Sequence, residues 1–219
     1  PSQLNGFIEV AGQQAQVVIA NPAGITCSGC GFINANRATL TTGQVKLSDG
    51  YLKGYQVSQG EIIIGEGGMD SSRQDHTDLI SRAVKINAAL WAKDLRITTG
   101  RNQVDADHQN IISQQDAAAV RPALAIDVAL LGGMYANKIK LLGTEKGVGV
   151  HNAGNIGALA GNVELTADGK IVNQGKIDSN GHLTLNSVAE VINRGAVYAA
   201  GNARVSSQKL LDNSGSLLT

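Results

Sequence analysis

From residue 163 onward the apolar and polar positions alternate in short bursts. Val163 and Leu165 are interleaved with Glu164 and Thr166, and Leu183 and Leu185 with Thr184 and Asn186. A period of two marks a short strand with one buried face. The bursts are rich in Val, Ile and Leu and are broken by Asn-x-Gly, whose glycine tolerates positive φ at a tight turn. A helical repeat would space its apolar residues three and four apart over about a dozen positions. No such stretch occurs, and the L-x-x-L-x-L spacing of a leucine-rich repeat is absent as well.

The bursts recur in register. GNVELTADGKIVNQGKIDSN, GHLTLNSVAEVINRGAVYAA and GNARVSSQKLLDNSGSLLT align without a gap from Gly161, at a period of about twenty residues, the range of solenoids. Gly161, Gly181 and Gly201 share a column, as do Leu165, Leu185 and Val205, and Ile171, Val191 and Leu211. Asn173, Asn193 and Asn213 share another, each followed two residues later by Gly175, Gly195 or Gly215, and then by Ile177, Val197 or Leu217. This predicts an all-β parallel β-helix with three strand faces per coil. The stacked asparagines are placed to form a ladder of amides at the inter-strand spacing of about 4.8 Å.

Toward the amino end the repeat loosens. Asn137-Lys138-Ile139-Lys140-Leu141 resembles the strand that opens each later coil, and Asn152-Ala153-Gly154-Asn155-Ile156 carries the Asn-x-Gly-x-Ile signature one coil earlier. Residues 40–64 contain alternating stretches, 51–57 and 61–64, punctuated by Gly43, Gly50 and Gly60, which read as strands with glycine turns. Residues 65–78 are polar and glycine-rich and read as a loop or an excursion off the helix. Residues 80–99 return to strands, and 108–122 read as a second excursion. The change from irregular to regular coils falls near Gly132-Gly133, without a linker. The chain opens on Pro1-Ser2-Gln3 in mid-pattern and ends inside a repeat at Leu217-Leu218-Thr219, which reads as a segment of a longer array.

Composition fits a thin aliphatic core: 27 glycines, 3 prolines and 3% aromatic residues beside 42% hydrophobic residues. Eighteen basic residues balance eighteen acidic ones, so nothing in the charge favours nucleic acid or an anionic membrane. No apolar run approaches the roughly eighteen residues needed to span a bilayer.

Parallel β-helices also host polysaccharide lyases and hydrolases, which is the rival reading. Their sites need clustered carboxylates for calcium or acid–base work. The densest groups are Asp70, Asp75, His76 and Asp78, and then Asp105, Asp107 and His108. Both lie in segments read as loops, where solvated charge is the simpler explanation. No Asp column repeats as a calcium-binding array requires.

One stretch carries more. NPAGITCSGCGFINANRATLTTG, residues 21–43, resembles the secretion domain of two-partner secretion exoproteins, the family of filamentous haemagglutinins, secreted haemolysins and contact-dependent growth-inhibition effectors. The usual family form is Asn-Pro-Asn-Gly-Ile, and Ala23 departs from it. A second block, LISRAVKINA at residues 79–88 followed by Trp91-Ala92 and Thr98-Thr99-Gly100, matches too, as does the haemagglutinin-type repeat beginning with Gly149-Val150-His151-Asn152-Ala153-Gly154. The resemblance implies a right-handed parallel β-helix with β-hairpins standing off it. It further implies passage through the periplasm, recognition there by the periplasmic domains of a dedicated outer-membrane transporter, and a destination at the cell surface or outside the cell. On this reading residues 1–133 are the later part of the secretion domain, without its amino-terminal cap and first coils, and residues 134–219 are haemagglutinin-type repeats. The expected role is export and support of a filament used in adhesion or growth inhibition, without catalysis, cofactor or metal. In a pure adhesin the coils themselves would bind a host glycan or receptor.

Asn21, Pro22, Gly24 and Ile25 then have two compatible roles. Asn-Pro-x-Gly is a turn sequence, since Pro22 presets φ at the second turn position and Gly24 permits positive φ. It can be a tight corner between coils or a surface that the transporter reads by strand addition. Cys27 and Cys30 are the one cysteine pair. Zinc would want two further ligands, and the four histidines are scattered. A redox pair would want a helix amino terminus. An exported protein crosses an oxidising compartment, which favours a disulfide closing this small loop, with free thiols as the alternative. Replacing both cysteines by Ser is then expected to leave the coil core folded.

Overall fold

The computed structural model describes residues 1–116 and 119–219. Part of the expected second excursion, Ala117 and Ala118, lies outside the described residues. Among the described residues there is no helix, and the strands form three parallel sheets and one antiparallel sheet. The first sheet has nine strands, from Ser2–Leu4 through Ile25–Cys27 and Glu61–Ile64 to Leu210–Asn213. The second also has nine, from Phe7–Glu9 through Cys30–Ile33 to Ser216–Leu218. The third has eight, from Ala15–Ala20 to Ala203–Ser207. Each strand pairs with its counterpart in the next coil, so the chain winds as a parallel β-helix.

The columns read from the repeat are the columns of the ladder. Leu165 pairs with Leu185 and Leu185 with Val205, Ile171 with Val191 and Val191 with Leu211, and Ile177 with Val197 and Val197 with Leu217. Leu165, Leu185, Ile171, Val191, Ile177 and Val197 are all buried in one continuous core. Each such burial contributes about 1.5–3 kcal/mol, which explains why a core with few rings suffices.

Glycine in Asn-x-Gly works differently from the expectation. Gly154, Gly175, Gly195 and Gly215 do not lie at positive φ. A Cβ on Gly175 would collide with the backbone oxygen of Gly154, one on Gly195 with that of Gly175, and one on Gly215 with that of Gly195. The column is glycine because successive coils touch backbone to backbone at this corner.

Residues 65–78 are not an excursion. Met69–Ser71 belongs to the second sheet and His76–Ser81 to the third. A three-residue strand is too short to show a period of two. Its corner is filled by polar groups: Ser71 Oγ donates to Gln74 Oε1 and lies 2.7 Å from Thr77 Oγ1, while Gln74 Nε2 donates to Phe32 O.

Two hairpins do leave the helix. After Ala35–Thr41 the chain forms Gln44–Ser48 and Tyr51–Gln56, and after Asp94–Thr99 it forms Asn102–Asp105 and Ile111–Ser113. Asp49 and Gly50 join the first pair with φ of 53° and 79°, the backbone of a two-residue hairpin turn. The hairpins pair with each other through Tyr51–Gln56 and Asn102–Asp105, making the antiparallel sheet of four. Beneath it, Tyr55, Val57, Val104 and the outward-facing Ile80 form a second small core. Gln44–Ser48 is one outer edge, and all five of its residues are exposed.

Candidate functional site

The turn at Asn21 connects Ala15–Ala20 in the third sheet to Ile25–Cys27 in the first. Gly24 N donates to Asn21 O at 3.0 Å, closing the turn, and Ala23 N donates to Asn21 Oδ1 at 2.9 Å. The other end of the same amide, Nδ2, donates to Ser2 Oγ at 2.9 Å in the preceding coil, and Asn21 N donates to Thr41 O in the following one. Both ends of the Asn21 side chain therefore bond within the fold. Gly24 has φ +112°, and an added Cβ would stand 3.1 Å from Glu61 O. Ile25 is buried in the core, Pro22 is half-buried and Ala23 is exposed.

The corner also carries the base of the first hairpin. Thr42 Oγ1 donates to Gln59 O at 2.7 Å, and Gly60, at φ +88°, lies so close to Pro22 O that a Cβ there would sit 2.6 Å away. The corner and the base of the hairpin that carries the exposed strand Gln44–Ser48 are thus in direct contact.

Cys27 and Cys30 form a disulfide across the next corner, with Cα atoms 5.4 Å apart. Around it the backbone is held from the following coil: Gly65 N donates to Cys27 O, Gly29 N to Gly68 O, and Gly67 N to Ser28 Oγ. The pair is not peripheral, as a small loop closure would be. Both sulfur-bearing residues are buried, at 0% and 1% exposure, within the main core. Mass spectrometry without reductant should find them linked within one chain. The coil core does draw stability from these two residues, so the double Ser variant is expected to fold but to be less stable. Two buried hydroxyls cost about 1–3 kcal/mol each if unpartnered, so replacing both by Ala should destabilise less than replacing both by Ser in urea unfolding. Equal losses would show that the hydroxyls find partners.

The asparagine column forms a continuous chain of amides. Asn152 Nδ2 donates to Asn173 Oδ1 at 2.8 Å, Asn173 to Asn193 at 2.8 Å, and Asn193 to Asn213 at 2.7 Å. Each also donates to the backbone of the next coil, at Lys176 O, Ala196 O and Ser216 O respectively. In the preceding coil the same column holds Val128, and Asn152 Oδ1 is buried without a hydrogen-bond partner. The ladder begins there, so sequence reading placed its start one coil too late.

Among the polar groups weighed for catalysis, Asp78 and His108 hold the scaffold together. Asp78 is fully buried rather than solvated. Arg37 Nε donates to its Oδ2 at 2.7 Å, and His108 Nδ1 lies 2.7 Å from its Oδ1. Burial, the largest influence, pushes the Asp78 carboxyl up, but the hydrogen bonds and positive charges of His108 and Arg37 together outweigh it and hold the group below the ordinary carboxylate range. His108 packs edge-on against Tyr55, with ring centroids 5.6 Å apart. This cluster pins the second hairpin to the third sheet. Its members lie far apart in sequence, and no local motif announces them. Asp70 accepts from Ser72, Asp75 pairs with Lys93, His76 with Asp94, and Asp105 accepts from Asn110. Each is committed to a local bond. Arg82 grips Glu145 with two nitrogens, at 2.7 and 3.1 Å, and donates to Val120 O.

Comparison with known proteins agrees with this geometry. The model of the TPS secretion domain family matches residues 1–173, and that of the Haemagglutinin repeat matches residues 158–215. The chain is 64% identical over 202 residues to Toxin CdiA of Yersinia pestis, covering 92% of this chain and 6% of that protein. It is 45% identical over 211 residues to the 16S rRNA endonuclease CdiA of Enterobacter cloacae subsp. cloacae, covering 96% of this chain and 6% of that protein. The chain therefore spans about 6% of the length of these curated relatives. Among solved structures, the crystal structure of a filamentous hemagglutinin secretion domain superposes with a TM-score of 0.70 at 30% identity, covering 100% of this chain and 71% of that one.

Proposed function

The chain belongs to the family of TPS secretion domains, and from that premise we propose that it presents its export signal to the periplasmic domains of its partner transporter through the edge of the first hairpin, with the Asn21 corner as the support that sets that edge in place. Two-partner secretion exoproteins are carried across the outer membrane to the cell surface or beyond. A recognition surface on such a domain must be accessible and must offer unmet bonding groups. The observation that carries the reading is the strand Gln44–Ser48: exposed along its whole length, at the outer edge of its sheet, and standing on the corner. An extended segment from a partner can add there through main-chain hydrogen bonds. The Asn21 amide, with both ends bonded internally, serves shape rather than contact.

In this reading residues 1–133 serve recognition and residues 134–219 prolong the rod as haemagglutinin-type repeats. What supports the division is that both hairpins precede Gly133, while the described coils after it run without excursion. A non-catalytic role is supported by Asp78, which is fully buried and held by Arg37 and His108, and by Asp105, which is bonded within its own hairpin. The long parent to which such a domain belongs acts in adhesion or in contact-dependent growth inhibition.

Because the two native cysteines are joined, one added thiol can be labelled selectively. Leu47→Cys, at a side chain 65% exposed, carrying a maleimide-linked polyethylene glycol, should lose binding to the transporter's periplasmic domains. The same label on Val188→Cys in the repeats should leave binding intact. Full binding by the labelled Leu47→Cys variant would remove the edge from recognition.

A further inference from the structure

On the outer surface of the second sheet, one column runs Asp70, Trp91, Tyr135, Gly157, Asp178 and Tyr198, each in register with the next. Trp91, the single tryptophan of the chain, is 45% exposed, and it stacks on Tyr135 with ring centroids 4.6 Å apart and planes 24° from parallel. On the far side of Tyr135 the column is empty of side chain at Gly157. A shallow pocket of about 130 Å³ opens there, lined by Tyr135, Gly157, Asn155, Lys176 and Asp178. Lys176 Nζ and an oxygen of Asp178 lie 2.6 Å apart, so the charged part of the rim carries no net charge, and the exposed Leu159 gives the rim an apolar side.

This arrangement has a specific complement. A pyranose ring presents a face of C–H groups, whose partial positive charge suits the negative face of an aromatic ring. Its edge presents hydroxyls, each both donor and acceptor. The rim supplies both: donors from Lys176 and the Asn155 amide, acceptors from Asp178 and the same amide. A purely apolar ligand would strip water from this ion pair without replacing its bonds, and a charged one would meet no net opposite charge. The glycine floor lets a flat ring lie close to the strand backbone.

We propose that the Tyr135–Gly157 pocket, backed by Trp91, is a subsite for one ring of a neutral saccharide. The site stands apart from the hairpin edge and does not depend on how export is recognised. It gives a stretch of the coil surface the capacity to hold a glycan.

Trp91 reports on the site directly. Maltotriose, cellotriose and triacetylchitotriose are titrated into the 219-residue chain while tryptophan emission is followed. At least one should give a saturable change with a dissociation constant of about a millimolar, the scale of a single shallow subsite. Tyr135→Ala should weaken it about tenfold or more. Gly157→Val gives an independent check, because its Cβ would lie 3.5 Å from Tyr135 Cδ1, an ordinary contact, while the branch fills the pocket. This variant should keep its far-UV circular dichroism and Trp91–Tyr135 stack yet lose the response. No saturable change with any of the three sugars overturns the proposal. So does undiminished binding by folded Gly157→Val, or an equal response to a neutral Gly-Ser hexapeptide.

Discussion

Replacing Asp78 by Ala is expected to cost about 3–5 kcal/mol, the loss that follows when one partner of a buried charge cluster is removed and the others stay. Arg37 would keep its charge with only 13% of its side chain exposed, and His108 would lose the carboxylate facing its Nδ1. Against a total stability of about 5–15 kcal/mol for a typical domain, that is a large fraction. Asp78→Asn keeps an acceptor for Arg37 and should lose less. The sign with pH is fixed too. A carboxyl held below its ordinary range contributes its stability above that range and loses it as pH falls through the folded-state value. The acid limb of the wild-type stability curve should therefore flatten in Asp78→Ala. Urea unfolding measures the loss, and a value under about 1 kcal/mol would mean that the cluster behaves like exposed ion pairs.

The second large effect is expected at Gly24, measured as export of the intact parent through its transporter. Valine there is held at φ +112°, with its Cβ 3.1 Å from Glu61 O. Backbone strain of this kind costs roughly 1–3 kcal/mol at one residue, and it falls on the strand-to-strand corner that supports the first hairpin. Gly24→Val should lose most of its export, and Gly24→Ala a smaller share. Normal secretion by Gly24→Val would detach the corner from recognition while leaving the β-helix in place.

The regular coils were legible because their signal is redundant. Leu165, Leu185 and Val205 repeat one position, and the same strand pairs with itself coil after coil, so a local pattern determines a long-range contact. The Asn column was legible for the same reason, although its first member, Asn152, sits beneath Val128 and so opens the ladder alone. Residues 65–78 were misread because their inward positions include Ser71 and Thr77, which satisfy one another instead of being apolar. Asp78 and His108 read as solvated loop charge because burial of a charge depends on partners brought in from elsewhere. Here Arg37 and Asp78 meet through adjacent coils, and His108 through a hairpin that folds back. Sequence order does not encode that meeting at any recognisable spacing. The glycines of Asn-x-Gly were found correctly and explained wrongly. Close approach of two backbones and positive φ leave the same mark in a sequence.

Whether this chain is what the transporter reads, and whether the Asn21 corner contributes shape alone, can be decided by calorimetric titration. The wild-type chain and Asn21→Ala are each titrated with the purified periplasmic domains of the partner transporter, and their melting temperatures are measured beside them. The wild-type chain should bind saturably. Asn21→Ala should melt lower, having lost its bonds to Ala23 and Ser2, and should bind more weakly in proportion to that lost stability. Absence of binding by the wild-type chain, or lost binding by Asn21→Ala at an unchanged melting temperature, would contradict this.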